Sequence, residues 1–369
     1  MPEGSAERPH VEIRDVSKTF GHVVAVDRLS LDVATGSFTT LLGPSGCGKT
    51  TTLRMLAGFY DPDAGDILIG GVPQQGIPPN RRNVSIVFQD YALFPHMTVL
   101  QNVSYGLKFR RLDKAERDRR VSRVLEFLGL DALEARHPHE LSGGQQQRVA
   151  LGRSIVMEPH VLLMDEPLSN LDAKLRIRVR AELKEIQRAT GITTIYVTHD
   201  QDEALSLSDR VAVMADGRLQ QYSEPWELYH APANRFVADF VGYANVIPGR
   251  VLERGAGTAT VLVPGSNTPL RCLDPASRAA AGADVGVMVR PEWFTLSPAD
   301  EKAAITDGVV LIGEVRSGSF LGAFVRAFLE VPGIGDPLVV ESTVTRQDQM
   351  ASGTRLRLCL PHDRAVLVD

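Results

Sequence analysis

Gly43-Pro44-Ser45-Gly46-Cys47-Gly48-Lys49-Thr50 constrains this chain more than any other stretch of it. The octapeptide fits G-x-x-x-x-G-K-[ST] in full and follows an apolar run at 37–42 that reads as a buried strand. Beyond it, Leu53, Leu56 and Ala57 recur at helical spacing until Gly58, so a helix is expected over 50–59. A glycine-rich turn between a strand and a helix aims backbone N–H groups inward, and the helix N-terminus adds partial positive charge. That arrangement cradles phosphate. Lys49 would reach the β- and γ-phosphates of ATP, the Thr50 hydroxyl would ligate Mg²⁺, and Thr51 would extend the binding turn into the helix.

A second element supplies acid. In Val161-Leu162-Leu163-Met164-Asp165-Glu166-Pro167 a buried strand delivers two carboxylates at its C-terminal end, where ligands of α/β sheets gather. Asp165 would hold Mg²⁺, and Glu166 is placed to polarise the attacking water as general base. An acidic pair alone at a strand end would be an ordinary surface feature; beside a phosphate loop it is not. A third element, Leu141-Ser142-Gly143-Gly144-Gln145-Gln146-Gln147-Arg148, opens a helix running to about Val156 with Ser142 as its cap. Two glycines there expose N–H donors, which makes a second phosphate-binding terminus.

These strings resemble, in order, the motifs of ATP-binding cassette (ABC) ATPases. Leu141-Ser142-Gly143-Gly144-Gln145 looks like the family signature, Gln89 in Val87-Phe88-Gln89-Asp90 its Q-loop, and Ser169-Asn170-Leu171-Asp172 its D-loop. His199 in Val197-Thr198-His199-Asp200 resembles the switch histidine, and Phe20 in Lys18-Thr19-Phe20-Gly21 sits where the family stacks an aromatic on adenine. Singly, a histidine or a phenylalanine is more often structural, and Gln89 alone would mean nothing; their joint placement over roughly residues 10–240 decides the matter.

The resemblance implies a head-to-tail homodimer in which Ser142, Gly143, Gly144 and Gln145 complete the ATP site of the partner. His199 would contact the γ-phosphate, and Gln89 would join the Mg²⁺ ligands and report the γ-phosphate to the membrane subunits. Arg148 and Asp172 would tie motifs together at the dimer interface. ATP would close the pair and hydrolysis would let it reopen. The aromatic stretch from Tyr91 to Met97 is either a local core cluster or the groove that receives the membrane subunits. Cys47 reads as a small residue tolerated within the loop, where the helix N-terminus would act to lower its pKa.

Composition sets the frame. With 369 residues, two domains are expected, and 43% hydrophobic with 23% charged residues is ordinary for a globular chain. A net charge of −5 gives no sign of a nucleic-acid binder. Three scattered cysteines, Cys47, Cys272 and Cys359, argue against a disulfide framework or zinc site and fit a reducing compartment. Residues 1–10 are polar and show no secretory signal, and no run of about 18 apolar residues occurs.

Strands alternating with helices mean an α/β fold: a P-loop NTPase cassette over 1–240, with a helical subdomain at about 95–156. The basic cluster Arg110, Arg111, Arg117, Arg119 and Arg120 reads as a solvated helix face. Beyond 240 the texture turns to short strand-like runs, at 259–263, 285–289, 308–312, 323–329 and 355–360, expected to form a small all-β barrel. Residues 232–249 and Val289-Arg290-Pro291-Glu292 resemble the tails of importer ATPases of the sugar, polyamine and ferric-iron group, where the tail is an OB-like TOBE domain. The resemblance thus implies an ATPase bound at the cytoplasmic face of the inner membrane to two transmembrane permease subunits, served indirectly by a solute-binding protein and not by nucleic acid. Gln89-Asp90-Tyr91-Ala92-Leu93-Phe94-Pro95-His96 looks more like the polyamine (spermidine/putrescine) branch; ferric iron and sugars are the alternatives. A non-transport ABC ATPase would resemble tandem cassettes or carry coiled-coil insertions, and neither is present.

Overall fold

The computed structural model describes residues 10–274, 280–300, 308–343, 350–362 and 364–368. It divides into two compact units, residues 1–225 and 226–369.

In the first unit a six-stranded sheet carries the site. Its order is Arg218–Ser223, Arg210–Ala215, Phe38–Leu42, Thr193–Thr198, Val161–Asp165, Val84–Val87. Every neighbouring pair is parallel except the edge hairpin Arg210–Ala215 with Arg218–Ser223. That hairpin turns at Asp216 and Gly217, both at positive φ, as a tight primed turn requires. The central strands are continuous apolar and β-branched runs because helices cover both faces: Phe38–Leu42 and Thr193–Thr198 are buried at every position. Parallel strands bring Leu42, Asp165 and Thr198 to the same edge of the sheet, so the loops after them converge.

A smaller antiparallel sheet, Val23–Val33, Val11–Phe20, Ala64–Ile69 and Val72–Pro73, packs on the other side of the phosphate-loop helix, Lys49–Ala57. That helix ends at Gly58 (φ 84°), as Gly58 in the sequence led one to expect. The helical segment contains helices Val99–Ser104, Lys114–Phe127 and Gly143–Ile155 around a core of Val103, Val121, Leu125, Leu128 and Val149. Arg110 and Arg111 precede the helix Lys114–Phe127, while Arg119 and Arg120 on it both pair with Glu116.

The second unit is a closed five-stranded barrel, Asn245–Arg254, Thr258–Leu262, Leu270–Leu273, Val366–Val368 and Asp284–Val289, joined to a second antiparallel sheet. The second sheet orders Thr295–Pro298, Arg355–Leu360, Val309–Phe320, Val325–Glu330 and Leu338–Ser342, and both share one apolar core. The unit begins earlier than the change of texture near 240. Helices Pro225–His230 and Arg235–Phe240 precede the barrel and belong to it through Arg290. Its wholly buried guanidinium donates to the carbonyls of Tyr229, Ala238 and Tyr243 and stacks on the Tyr229 ring.

Candidate functional site

The phosphate loop fills the gap between Phe38–Leu42 and Lys49–Ala57. Two of its glycines are enforced by close approach. A Cβ on Gly43 would lie 2.3 Å from the Met214 carbonyl oxygen and 2.6 Å from Cys47 Sγ. Gly48 has φ 101°, and its Cβ would lie 2.4 Å from the Ala25 carbonyl oxygen. Pro44, Ser45 and Gly46 form the exposed lip, and Thr51 lies half-buried in the first turn of the helix. Lys49 is buried, and its ammonium spans the loop, donating to the carbonyls of Gly43 (2.7 Å) and Pro44 (2.9 Å).

Thr50 Oγ1 donates to Asp165 Oδ1 at 3.1 Å, which joins the loop to the end of the neighbouring acidic strand. Burial pushes the Asp165 carboxyl above its usual range, with the Thr50 hydrogen bond pulling the other way. Glu166 follows in the left-handed region (φ 45°), its N–H on the Val197 carbonyl at 3.0 Å. That strained turn aims its side chain across the sheet edge, where Oε2 meets His199 Nδ1 at 3.1 Å. His199 itself is exposed.

The loop after Glu166 is tied to both neighbours. Ser169 Oγ donates to the Glu166 carbonyl at 2.9 Å, and Asn170 Nδ2 to the Gln89 carbonyl at 2.9 Å. Gln89 is exposed. The segment after it is clamped twice. Arg153 donates to the carbonyls of Tyr91 and Ala92, both at positive φ, and Asn102 bonds Phe94, Met97 and Thr98. Phe94 stacks on Tyr105 (4.5 Å) beneath Arg153. Phe20 is 42% exposed; its ring meets that of Tyr60 edge to face at 5.3 Å, and the Lys18 ammonium stands over it at 5.6 Å.

Ser142 caps the helix Gly143–Ile155 in a capping box whose other half is the Gln145 side chain, at 2.9 Å from the Ser142 N–H. Gly143 and Gly144 are tight against Leu171 and Leu175. Arg148 pairs with Glu182 at 2.7 Å, and Asp172 caps the helix Ala173–Thr190, so each has a local partner as well.

One expectation is overturned. The Cys47 thiol is pushed up, not down, because burial outweighs the nearby Lys49 ammonium. Arg153 and Asn102 escaped the sequence reading: they carry no motif, and only their hydrogen bonds to the backbone mark them.

Comparison with known families matches residues 26–169 to the ABC transporter family and residues 287–368 to the TOBE domain. The Fe(3+) ions import ATP-binding protein FbpC of Rhizobium etli is 48% identical over 91% of this chain and 92% of its own length. The chain belongs to the ATP-binding import subunits of ABC transporters. It is an ATPase with the cassette fold and a C-terminal TOBE domain. Another such relative, the spermidine/putrescine import ATP-binding protein PotA of Rubrobacter xylanophilus, is 47% identical over 88% of this chain and 84% of its own. Among solved structures, cbiO1 of Clostridium perfringens, part of the transporter complex cbiONQ, superposes with a TM-score of 0.56 at 32% identity, over 60% of this chain and 91% of its own. An ATP-binding cassette captured as a dimer with ADP and Pi after hydrolysis gives 0.52 at 29%, over 58% and 98%. No helix among the described residues is long and apolar enough to cross a membrane.

Proposed function

We propose that this ABC ATPase hydrolyses ATP as a homodimer, bound to two permease subunits at the cytoplasmic face of the inner membrane, and drives uptake of a spermidine- or putrescine-like polyamine. The observation that carries the hydrolytic part is the Glu166–His199 contact at 3.1 Å, beside the Thr50–Asp165 pair and the glycine loop. Glu166 takes a proton from the attacking water, and His199 holds the γ-phosphate and steadies the Glu166 carboxylate. Lys49 leaves the Gly43 and Pro44 carbonyls for the β- and γ-phosphates, and Phe20 stacks on adenine.

The donor set suits Mg²⁺: a hydroxyl and a half-buried carboxylate, oxygen ligands only, with burial raising the carboxyl's pKa and a bound cation acting in the opposite sense. Thr50, Asp165 and Gln89 would hold it. When bound, the ion neutralises charge building on the phosphate oxygens. Ser142, Gly143, Gly144 and Gln145 present a helix N-terminus to the partner's ATP, with Gln145 acting through the capping box.

The polyamine reading rests on the Gln89–His96 string and on the 47% identical polyamine relative. Ferric iron is the second reading, because the iron relative, at 48%, is as similar. Deleting the gene in its host and measuring uptake of labelled putrescine, spermidine, ferric iron and a disaccharide separates them. Loss of polyamine uptake, restored by the wild type and not by Glu166→Gln, supports both parts of the proposal. Loss of iron uptake alone transfers the assignment to the second reading.

A further inference from the structure

Behind His199 lies a buried polar cluster centred on Glu203, a residue that none of the nucleotide motifs includes. Glu203 is 3% exposed and its Oε2 accepts hydrogen bonds from the Tyr196 hydroxyl (2.7 Å) and the Thr198 hydroxyl (2.8 Å). Tyr196 and Thr198 are themselves buried. The Thr198 oxygen also accepts the Asp200 N–H at 3.0 Å, and Asp200 Oδ1 accepts the Glu203 N–H at 3.0 Å. His199 is therefore flanked on both sides by residues whose positions the Glu203 carboxylate and backbone fix.

Arg176 extends the cluster to the other loop. Its Nη1 donates to Asp200 Oδ2 at 3.2 Å, and its Nη2 to the Leu171 carbonyl at 3.0 Å. Its Nε is buried without a hydrogen-bond partner and stands 3.8 Å from Glu203 Oε1. One guanidinium thus bridges the loop that follows Glu166 and the loop that carries His199. The guanidinium is held by the Asp200 carboxylate and the Leu171 carbonyl, with its buried Nε–H turned towards the Glu203 carboxylate.

We infer that Arg176 and Glu203 are positioning residues, which set the His199 imidazole against Glu166 and make its placement depend on that of the loop 167–172. This rests on the proposed role of His199. The geometric logic is that of an oriented base: the His199 imidazole is exposed and would wander, and its rigidity comes from Glu203 and Arg176 behind it.

The test is steady-state hydrolysis of MgATP by the full-length chain carrying Glu203→Gln, Arg176→Met, Arg176→Lys or His199→Ala, and each of the first two combined with His199→Ala. Glu203→Gln keeps the shape and one acceptor, so it guards against a variant that fails to fold. The inference expects kcat to fall on the order of tenfold to a hundredfold in Glu203→Gln and Arg176→Met, with KM within about threefold. It expects partial rescue by Arg176→Lys and no further loss when either change is added to His199→Ala. Losses that multiply with that of His199→Ala, or wild-type kcat in both single variants, overturn it while leaving the His199 reading standing. Wild-type turnover in His199→Ala overturns both.

Discussion

His199 Nδ1 and Glu166 Oε2 lie 3.1 Å apart although 33 positions separate the residues, because each leaves the end of one of two neighbouring parallel strands. The parallel register sets Asp165 beside Val197, and the left-handed turn at Glu166 then swings the next carboxylate towards the histidine. Replacing Glu166 by Gln keeps the size and removes the base. Turnover should fall by about 10²–10⁴-fold, with ATP affinity nearly unchanged. Equilibrium binding and a phosphate-release assay on the same preparation check this; a Glu166→Gln protein hydrolysing at the wild-type rate would refute the assignment.

Asp165 makes a prediction about pH. Burial raises its pKa in the folded chain, so the stability it confers is present below the unfolded carboxyl value and is lost as pH rises through the folded one. At neutral pH the ionised group is a cost to the nucleotide-free protein. Asp165→Asn should therefore raise its Tm at pH 7.5 by roughly one or two degrees, with the gain shrinking towards pH 4.5. The same variant should lose the extra stabilisation that Mg²⁺ adds to ATP. Thermal melts across pH, with ATP alone and with MgATP, read out both.

Cys47 should resist thiol reagents. Its sulfur is buried against the loop and its thiol is held protonated, so alkylation at pH 7 should be far slower than for an exposed cysteine and should accelerate on unfolding. Cys47→Ala should keep hydrolysis within about twofold, since the sulfur offers the Lys49 ammonium only a weak contact at 3.8 Å beside two carbonyl acceptors. Gly43→Ala should not be tolerated, because its Cβ would lie 2.3 Å from the Met214 carbonyl oxygen. Mass-spectrometric labelling rates and ATPase assays decide the three points.

Arg290 predicts a local stability effect. Truncating it to Ala leaves the carbonyls of Tyr229, Ala238 and Tyr243 without their buried donor, so the second unit should lose about 3 kcal/mol or more. A lowered denaturant midpoint, confined to the transition of that unit, is the expected result. An unchanged midpoint would mean that water replaces the guanidinium.

The nucleotide machinery was legible because each piece is local. A phosphate loop needs its glycines, lysine and hydroxyl within eight consecutive positions, and Ser142 with Gln145 forms a capping box three residues wide. The central strands were legible for a related reason, being unbroken apolar runs. What stayed hidden depends on distant pairing. Ala64–Ile69 is half exposed and carries Gly65 and Asp66, which break any strand pattern, and it becomes a strand only by pairing with Val11–Phe20. Arg290 attracted notice as part of a string, yet nothing nearby shows that it fastens two helices some fifty residues earlier. The pKa of Cys47 was misjudged because a helix N-terminus is visible in sequence and the burial that outweighs it is not. Arg176 and Glu203 fall in the same class, since their partners come from three separate elements.

The helix Gly143–Ile155 begins at the capped Ser142 and carries Arg153, which grips the Tyr91 and Ala92 carbonyls, in its last turn. Thirteen helical residues make a strut about 20 Å long whose ends cannot move independently. If a nucleotide seats the near end of this strut, as proposed, the far end moves with it, and so does the strained backbone just past Gln89. Force entering at one motif leaves at another by rigid leverage, without any intervening side chain having to change its rotamer.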